Sequence, residues 1–332
     1  MKKIFKKILI FIFAIFFLFF LYFFFGKAPR AEKIEWGVVF SQKHAVLLGL
    51  DWKEVFSQIL DDLKVKKIKI ITHWDFLEPE RDKFNFKDLD WQIKEAEKRK
   101  VKLILVLGMK TGRWPECHLP KWVQNLNNEE REKELLDYLK ILVERYRKEK
   151  SISAWQIENE PFFPFGECPK IKEDFVKKEI ELVRSLDKRP IIFADSGEFS
   201  FWIKGARLGD IVSISLYRKV YFKEIKRYFT YPFPSVYYWR KAKIIHFLFG
   251  KKVMVGELQA EPWCKSLIYD CPLKEQEITM NFEQFKKNVE FAKKTGFNTF
   301  YFWGVEWWYW LKEKGKESIW QEAENLFSIN AR

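Results

Sequence analysis

After residue 33 the chain alternates short apolar runs with longer amphipathic ones, and it does so eight times. The apolar runs are Trp36–Phe40, Lys67–Thr72, Lys102–Leu107, Ile152–Ile157, Pro190–Phe193, Ile211–Leu216, Lys252–Val255 and Thr299–Phe302. Helical patterns fall between and after them, around 51–64, 88–99, 129–149, 170–186, 235–249, 276–295 and 316–330, with a short one near 198–206. A short apolar run followed by a 3.6-residue periodicity describes a strand and its crossover helix. Eight such units in about 300 residues predict one closed (β/α)8 barrel with a parallel sheet. An open doubly wound sheet would carry a glycine-rich phosphate loop after its first strand, and SQKHAVLLG is not one. No linker rich in Pro, Gly or Ser splits the alternation, so residues 34–332 are expected to form a single domain.

What precedes the barrel has a different composition. Ile8–Phe25 is an uninterrupted apolar run, flanked by the basic stretch MKKIFKK and by Gly26-Lys27. As a helix it spans roughly 27 Å, close to the thickness of a bilayer core. A soluble helix keeps a polar face, and this one has none. The expected organisation is a cytoplasmic tail at 1–7, a transmembrane signal anchor at 8–25 and a short linker at 26–33. A cleaved signal peptide is the rival reading, although Pro29 sits where cleavage would have to occur. Lys2, Lys3, Lys6 and Lys7 favour a cytoplasmic N-terminus against Lys27, Arg30 and Lys33 on the far side, and the barrel is expected outside the cell membrane.

The net charge of +14 is partly a property of this first segment, which holds six of the 60 basic residues and no acid within its first 30 positions. The other 54 basic residues face 46 acidic ones, mostly interleaved on helices as in KEAEKRK and NNEEREKELL. That is the pattern of solvated helix faces, and no clustered basic stripe marks a nucleic-acid interface. Membrane is an expected partner, nucleic acid is not, and the chain is expected to be a monomer.

In a barrel of this kind the working face lies at the C-terminal ends of the strands, so side chains there are read together. The second run ends in His73, Trp74, Asp75 and Glu78; the third continues as LGMKTGRWPECHLPKW. The fourth ends WQIENEP, the sixth SLYR with Tyr217, and the seventh VMVGELQAEPW with Glu257 and Glu261. The eighth reads FYFWGVEWWYW. Carboxylates therefore stand at the ends of runs four and seven, on opposite sides of the mouth, among tryptophans. Two carboxylates across a cleft can break a glycosidic bond, one protonating the leaving oxygen and the other attacking the anomeric carbon. Flat indole faces suit sugar rings. The plain alternative for any one glutamate is a salt bridge within the barrel, and for the tryptophans of the eighth run it is core packing.

WQIENEP with Asn159-Glu160-Pro161, and GELQ at Gly256–Gln259, resemble the strand-four and strand-seven segments of clan A retaining glycoside hydrolases. The likeness runs in order and spacing over about residues 34–310 and points to the cellulase-like family 5 and the galactosidase-like family 42. The resemblance implies Glu160 as acid/base, Glu257 as nucleophile, Asn159 on the sugar 2-hydroxyl, Tyr217 bonded to the nucleophile and Trp303 in the sugar floor. It requires no metal and no organic cofactor. One position departs: where the clan carries an arginine on strand two, this chain has Lys69. Lysine keeps the charge and loses the two-pronged geometry.

Trp74, His73 and Glu261 are further candidate substrate contacts, with His118, Lys110 and Arg113 nearby; Glu158 is read as a supporting group for the strand end. The reaction expected is double displacement. Transfer of glycosyl groups to another sugar, remodelling envelope glycans, would use the same residues. A carbohydrate-binding barrel without catalysis is the third reading. Four cysteines in an oxidising space are expected to pair. Cys117 and Cys168 follow neighbouring strands and Cys264 and Cys271 share one loop, so the expected bridges are Cys117–Cys168 and Cys264–Cys271.

Overall fold

The computed structural model describes residues 2–329. Eight parallel strands close into a barrel: β1 (Glu35–Phe40), β2 (Lys67–Ile71), β3 (Lys102–Leu107), β4 (Ile152–Ile157), β5 (Ile191–Asp195) and β6 (Ile211–Leu216). A two-stranded hairpin of β7 (Lys219–Phe222) and β8 (Arg227–Thr230) intervenes before β9 (Lys252–Gln259) and β10 (Thr299–Trp303) complete the ring beside β1. The eight runs read from sequence are these eight barrel strands, and the barrel is the fold expected. Residue 1 of the expected tail and residues 330–332 of the expected barrel lie outside the described residues.

Alternation along the strands divides the core in two. On β3, Leu103, Leu105 and Leu107 face the helix layer, and Ile104 and Val106 face the barrel axis. The inner cluster joins Val39, Ile71, Ala154, Ile192, Met254 and Tyr301 to them. Because the parallel strands are buried on both faces, they read as continuous apolar runs. Helix boundaries follow local chemistry. Asn127 and Glu130 form a reciprocal capping box at the start of Asn128–Tyr146, and Asn281 caps Phe282–Lys293. Gly250, at φ 67°, ends Ser235–Phe249 in the left-handed conformation that glycine adopts without steric cost.

The sequence pattern did not reveal the short helix Gln42–Leu47, the hairpin, or the helix Val305–Glu313. The expected helix at 276–295 is two, Leu273–Thr279 and Phe282–Lys293, broken where Asn281 caps the second.

Lys2–Phe24 forms one apolar helix, long enough to cross a membrane and almost wholly exposed along its length. Only its last turn touches the barrel. Phe23 and Phe24 pack on Tyr237, Phe24 also on Phe233, and Arg240 donates to the Leu21 carbonyl.

Candidate active site

The mouth is built from strand ends that turn inward a set of polar side chains with few routes to water. On β4, Gln156 is fully buried and occupied on both sides. Its oxygen accepts from Lys69 Nζ at 3.3 Å, and its amide nitrogen donates to Asn159 Oδ1 at 3.0 Å and to the Glu158 carbonyl at 3.1 Å. Asn159 is thereby fixed in orientation before any ligand arrives. Glu158 and Glu160 both adopt positive φ, 55° and 46°, so the chain leaves β4 through a strained turn that sends the two carboxyls different ways.

Glu158 turns toward the helix layer. Its oxygens accept from the backbone N–H groups of Met109 at 3.0 Å and Lys110 at 2.6 Å, over Gly108. A Cβ at Gly108 would lie 2.4 Å from the Glu158 carboxyl carbon, so only glycine fits. Burial raises Glu158 to about 7, and it faces Glu179, which burial and the Glu158 charge push well above the ordinary carboxylate range. The Glu158 bonds to Met109 and Lys110 tie the β3 and β4 ends together, with the Glu179 carboxyl of the helix Glu173–Leu186 buried behind them.

Glu160 turns toward the mouth. Burial, then the negative charge of Glu257, hold its carboxyl protonated well above the usual range; a hydrogen bond from Ser215 opposes them. Glu257, near the end of β9, lies 3.6 Å from Lys69 Nζ and accepts from Tyr217 Oη at 3.4 Å. Burial lowers the Lys69 ammonium, and Glu257 is the largest influence restoring it. Gly256 makes this approach possible, since a Cβ there would sit 1.8 Å from Ser213 Oγ. Tyr217 is raised well above 10, by burial and then by Glu257, so it remains a donor. Its ring meets Trp263 edge-on at 5.2 Å.

The structure thus brings Glu160, Glu257, Asn159, Tyr217 and Lys69 to one place. Other candidates are differently employed. Trp74 has no exposed surface; it stacks on Tyr138 at 5.2 Å and donates to Glu78 Oε2 at 2.7 Å. Trp74, expected as a substrate contact, packs in the outer core cluster against the helix layer. His73 is buried against His118, ring centroids 4.3 Å apart, and burial keeps its pKa well below 6.5. It also lines a cavity of about 340 Å³ beside the end of β2. The Lys110 ammonium is bound to the carbonyls of Glu160 and Phe163, holding the loop after β4.

Glu261 belongs to a buried ionic chain. Arg113 bonds both Glu261 and Glu306, the latter at 2.9 Å, and His44 approaches Glu261 at 3.4 Å. Burial would raise Glu261, but Arg113 and His44 outweigh it and hold the carboxyl at about 2. His44, Glu261 and Glu306 offer ligand atoms within 4.8 Å of one another, with the Arg113 cation already paired to both carboxylates. The same guanidinium lies 4.2 Å from the Trp303 ring centroid, so one indole face is covered by Arg113.

Two site residues escaped the sequence reading. Glu116 is buried beside Asn159, Lys110 and Glu257, and burial raises it to about 8. Its signal was its place before Cys117 in the stretch after β3. Trp263, half-buried against Tyr217, was legible only as the aromatic of AEPW after β9. Both expected bridges are formed: Cys117–Cys168, with Cα atoms 5.2 Å apart, and Cys264–Cys271, 6.5 Å apart. They tie the loops of the same mouth.

Residues 56–180, which include Asn159-Glu160-Pro161, match the family described as Glycosyl hydrolase family 10, over less than half of the chain. No curated protein sequence matches. Among solved structures, a GH5_18 protein from Streptomyces cattleya in complex with GlcNAc superposes with a TM-score of 0.58 at 11% identity, over 82% of this chain and 70% of that one. Xylanase 10B from Thermotoga petrophila in complex with xylobiose gives 0.52 at 16% identity, over 82% of each chain. A β-galactosidase from the haloarchaeon Halorubrum lacusprofundi gives 0.55 at 14% identity, over 81% of this chain; the chain spans about half of that protein's length. The chain has the barrel fold that these clan A glycoside hydrolases share.

Proposed function

We propose that the chain is a retaining glycoside hydrolase, with Glu160 as acid/base and Glu257 as nucleophile. The observation that carries this reading is the pairing of unlike environments. Glu160 is kept protonated by burial and by Glu257, while Glu257 faces the Lys69 ammonium and the Tyr217 hydroxyl. A carboxyl group held protonated opposite one that faces a cation and a hydroxyl divides the roles of proton donor and nucleophile. Glu160 protonates the leaving oxygen as Glu257 attacks the anomeric carbon, and Glu160 then takes a proton from the water that releases the sugar. Retention calls for carboxyl groups about 5–5.5 Å apart, close enough for direct attack. Asn159, fixed by Gln156, meets the sugar 2-hydroxyl, and Trp263 offers an aromatic wall.

Lys69 supplies the support that an arginine would otherwise give, through one point contact to Glu257 and one to Gln156. The substrate is an oligo- or polysaccharide, in keeping with the relatives named above. The apolar helix and the two bridges support a barrel held outside the cytoplasmic membrane by an uncleaved anchor. A panel of aryl glycosides and polysaccharides tests the function. Turnover is expected with at least one of them, and Glu257→Ala should abolish it. A carbohydrate that binds with no turnover of any aryl glycoside would instead identify a binding barrel.

A further inference from the structure

We infer that the far end of the helix Ser235–Phe249 is a membrane-contact surface that seats the base of the barrel on the bilayer and turns the mouth away from it. The inference rests on the reading of Lys2–Phe24 as a membrane span. The two helices touch through Phe23 and Phe24 on Tyr237, Phe24 on Phe233, and Leu21 and Tyr22 on Arg240. As residue number falls from Phe24 to Leu21, the partners rise from Phe233 and Tyr237 to Arg240. The N-terminal helix therefore leaves the domain toward the end of Ser235–Phe249 that precedes β9, which is the base of the barrel.

Tyr237, Arg240, Ile244, Phe247 and Leu248 recur at three- and four-residue spacing, so they share one face. The first two are covered by the last turn of the N-terminal helix. The last two are bare: Phe247 is 86% exposed and Leu248 57%. Phe247 is the most exposed large apolar side chain among the described residues. This pair continues a face already used to meet the apolar span. Exposed Lys243 and Lys252 flank it. An apolar tip rimmed by lysines is the composition of an interfacial helix on anionic lipid.

The test uses the full chain in nanodiscs containing phosphatidylglycerol. All four cysteines are bridged, so an introduced cysteine is the single free thiol and takes one nitroxide label. Labels on Phe247→Cys and Leu248→Cys are expected to gain oxygen accessibility and lose access to a polar relaxant severalfold relative to a label on Lys226→Cys in the hairpin, which should stay aqueous. Phe13→Cys reports the span itself. An aqueous label at 247 with a lipid-buried label at 13 overturns the surface while leaving the span intact. A label at 13 that is aqueous overturns both. Spin–spin coupling between labels at 247 would assign the patch to a second copy and overturns the proposal as well.

Discussion

Ser215 donates a hydrogen bond that works against the two influences keeping Glu160 protonated. On the proposed mechanism Glu160 acts in its protonated form, so turnover should fall as pH rises through its raised pKa. Ser215→Ala removes an influence that lowers that pKa, and the alkaline limb of the pH–rate profile should move to higher pH. A limb that moves down or stays put would separate that limb from Glu160. Glu179 gives a second, independent expectation, read in stability. Both Glu158 and Glu179 have folded-state pKa values raised by burial, Glu158 to about 7. The folded protein then binds more protons than the unfolded one, and stability falls as pH rises from about 4.3, the ordinary value, through the raised ones. Glu179→Gln removes one of the two ionisations and keeps a donor for Glu158. Urea melts at pH 5 and pH 8 should show a shallower loss of stability in the variant than in the parent.

At the level of elements, the two bridges fix loops of very different span. Cys117–Cys168 closes a separation of 51 residues and Cys264–Cys271 one of 7. Loop-closure entropy gives about 4 kcal/mol for the first and about 2 for the second. Urea unfolding of the two Cys→Ser pairs should rank them in that order, and the reverse ranking would point to local strain or packing instead. The strands were legible because burial on both faces writes a continuous apolar run, as in KLILVL and ISAWQI. The hairpin was not, because its strands are short, its outer face is wet, and its position is set by Gln259 bonding the backbone of Arg218 and Lys219. Val305–Glu313 carries Trp307, Trp308 and Trp310 in close succession, so no polar face disclosed a helix. Glu160 and Glu257 could be singled out because one lies just past the end of β4 and the other near the end of β9. Glu116 and the covering of Trp303 by Arg113 could not, because they depend on how a loop folds back over the mouth.

Across the whole molecule, one exposed apolar helix, two disulfides and a polar mouth place the same demands on location. On the proposed reading the helix sits in a membrane, the bridges form in an oxidising space, and the mouth opens where glycans reach it. The full chain should therefore fractionate with membranes and resist alkaline extraction, and protease added to intact cells should remove the barrel. A barrel untouched by protease outside but cut after lysis would place it in the cytoplasm. The most direct measurement of the central assignment is covalent. A 2-deoxy-2-fluoro glycoside with a good leaving group forms the glycosyl-enzyme and slows its hydrolysis. Intact mass spectrometry should then show one added sugar, and peptide mapping should place it on Glu257. An adduct on Glu261, or turnover with inversion and no adduct, would contradict the assignment of Glu257 as nucleophile opposite Glu160.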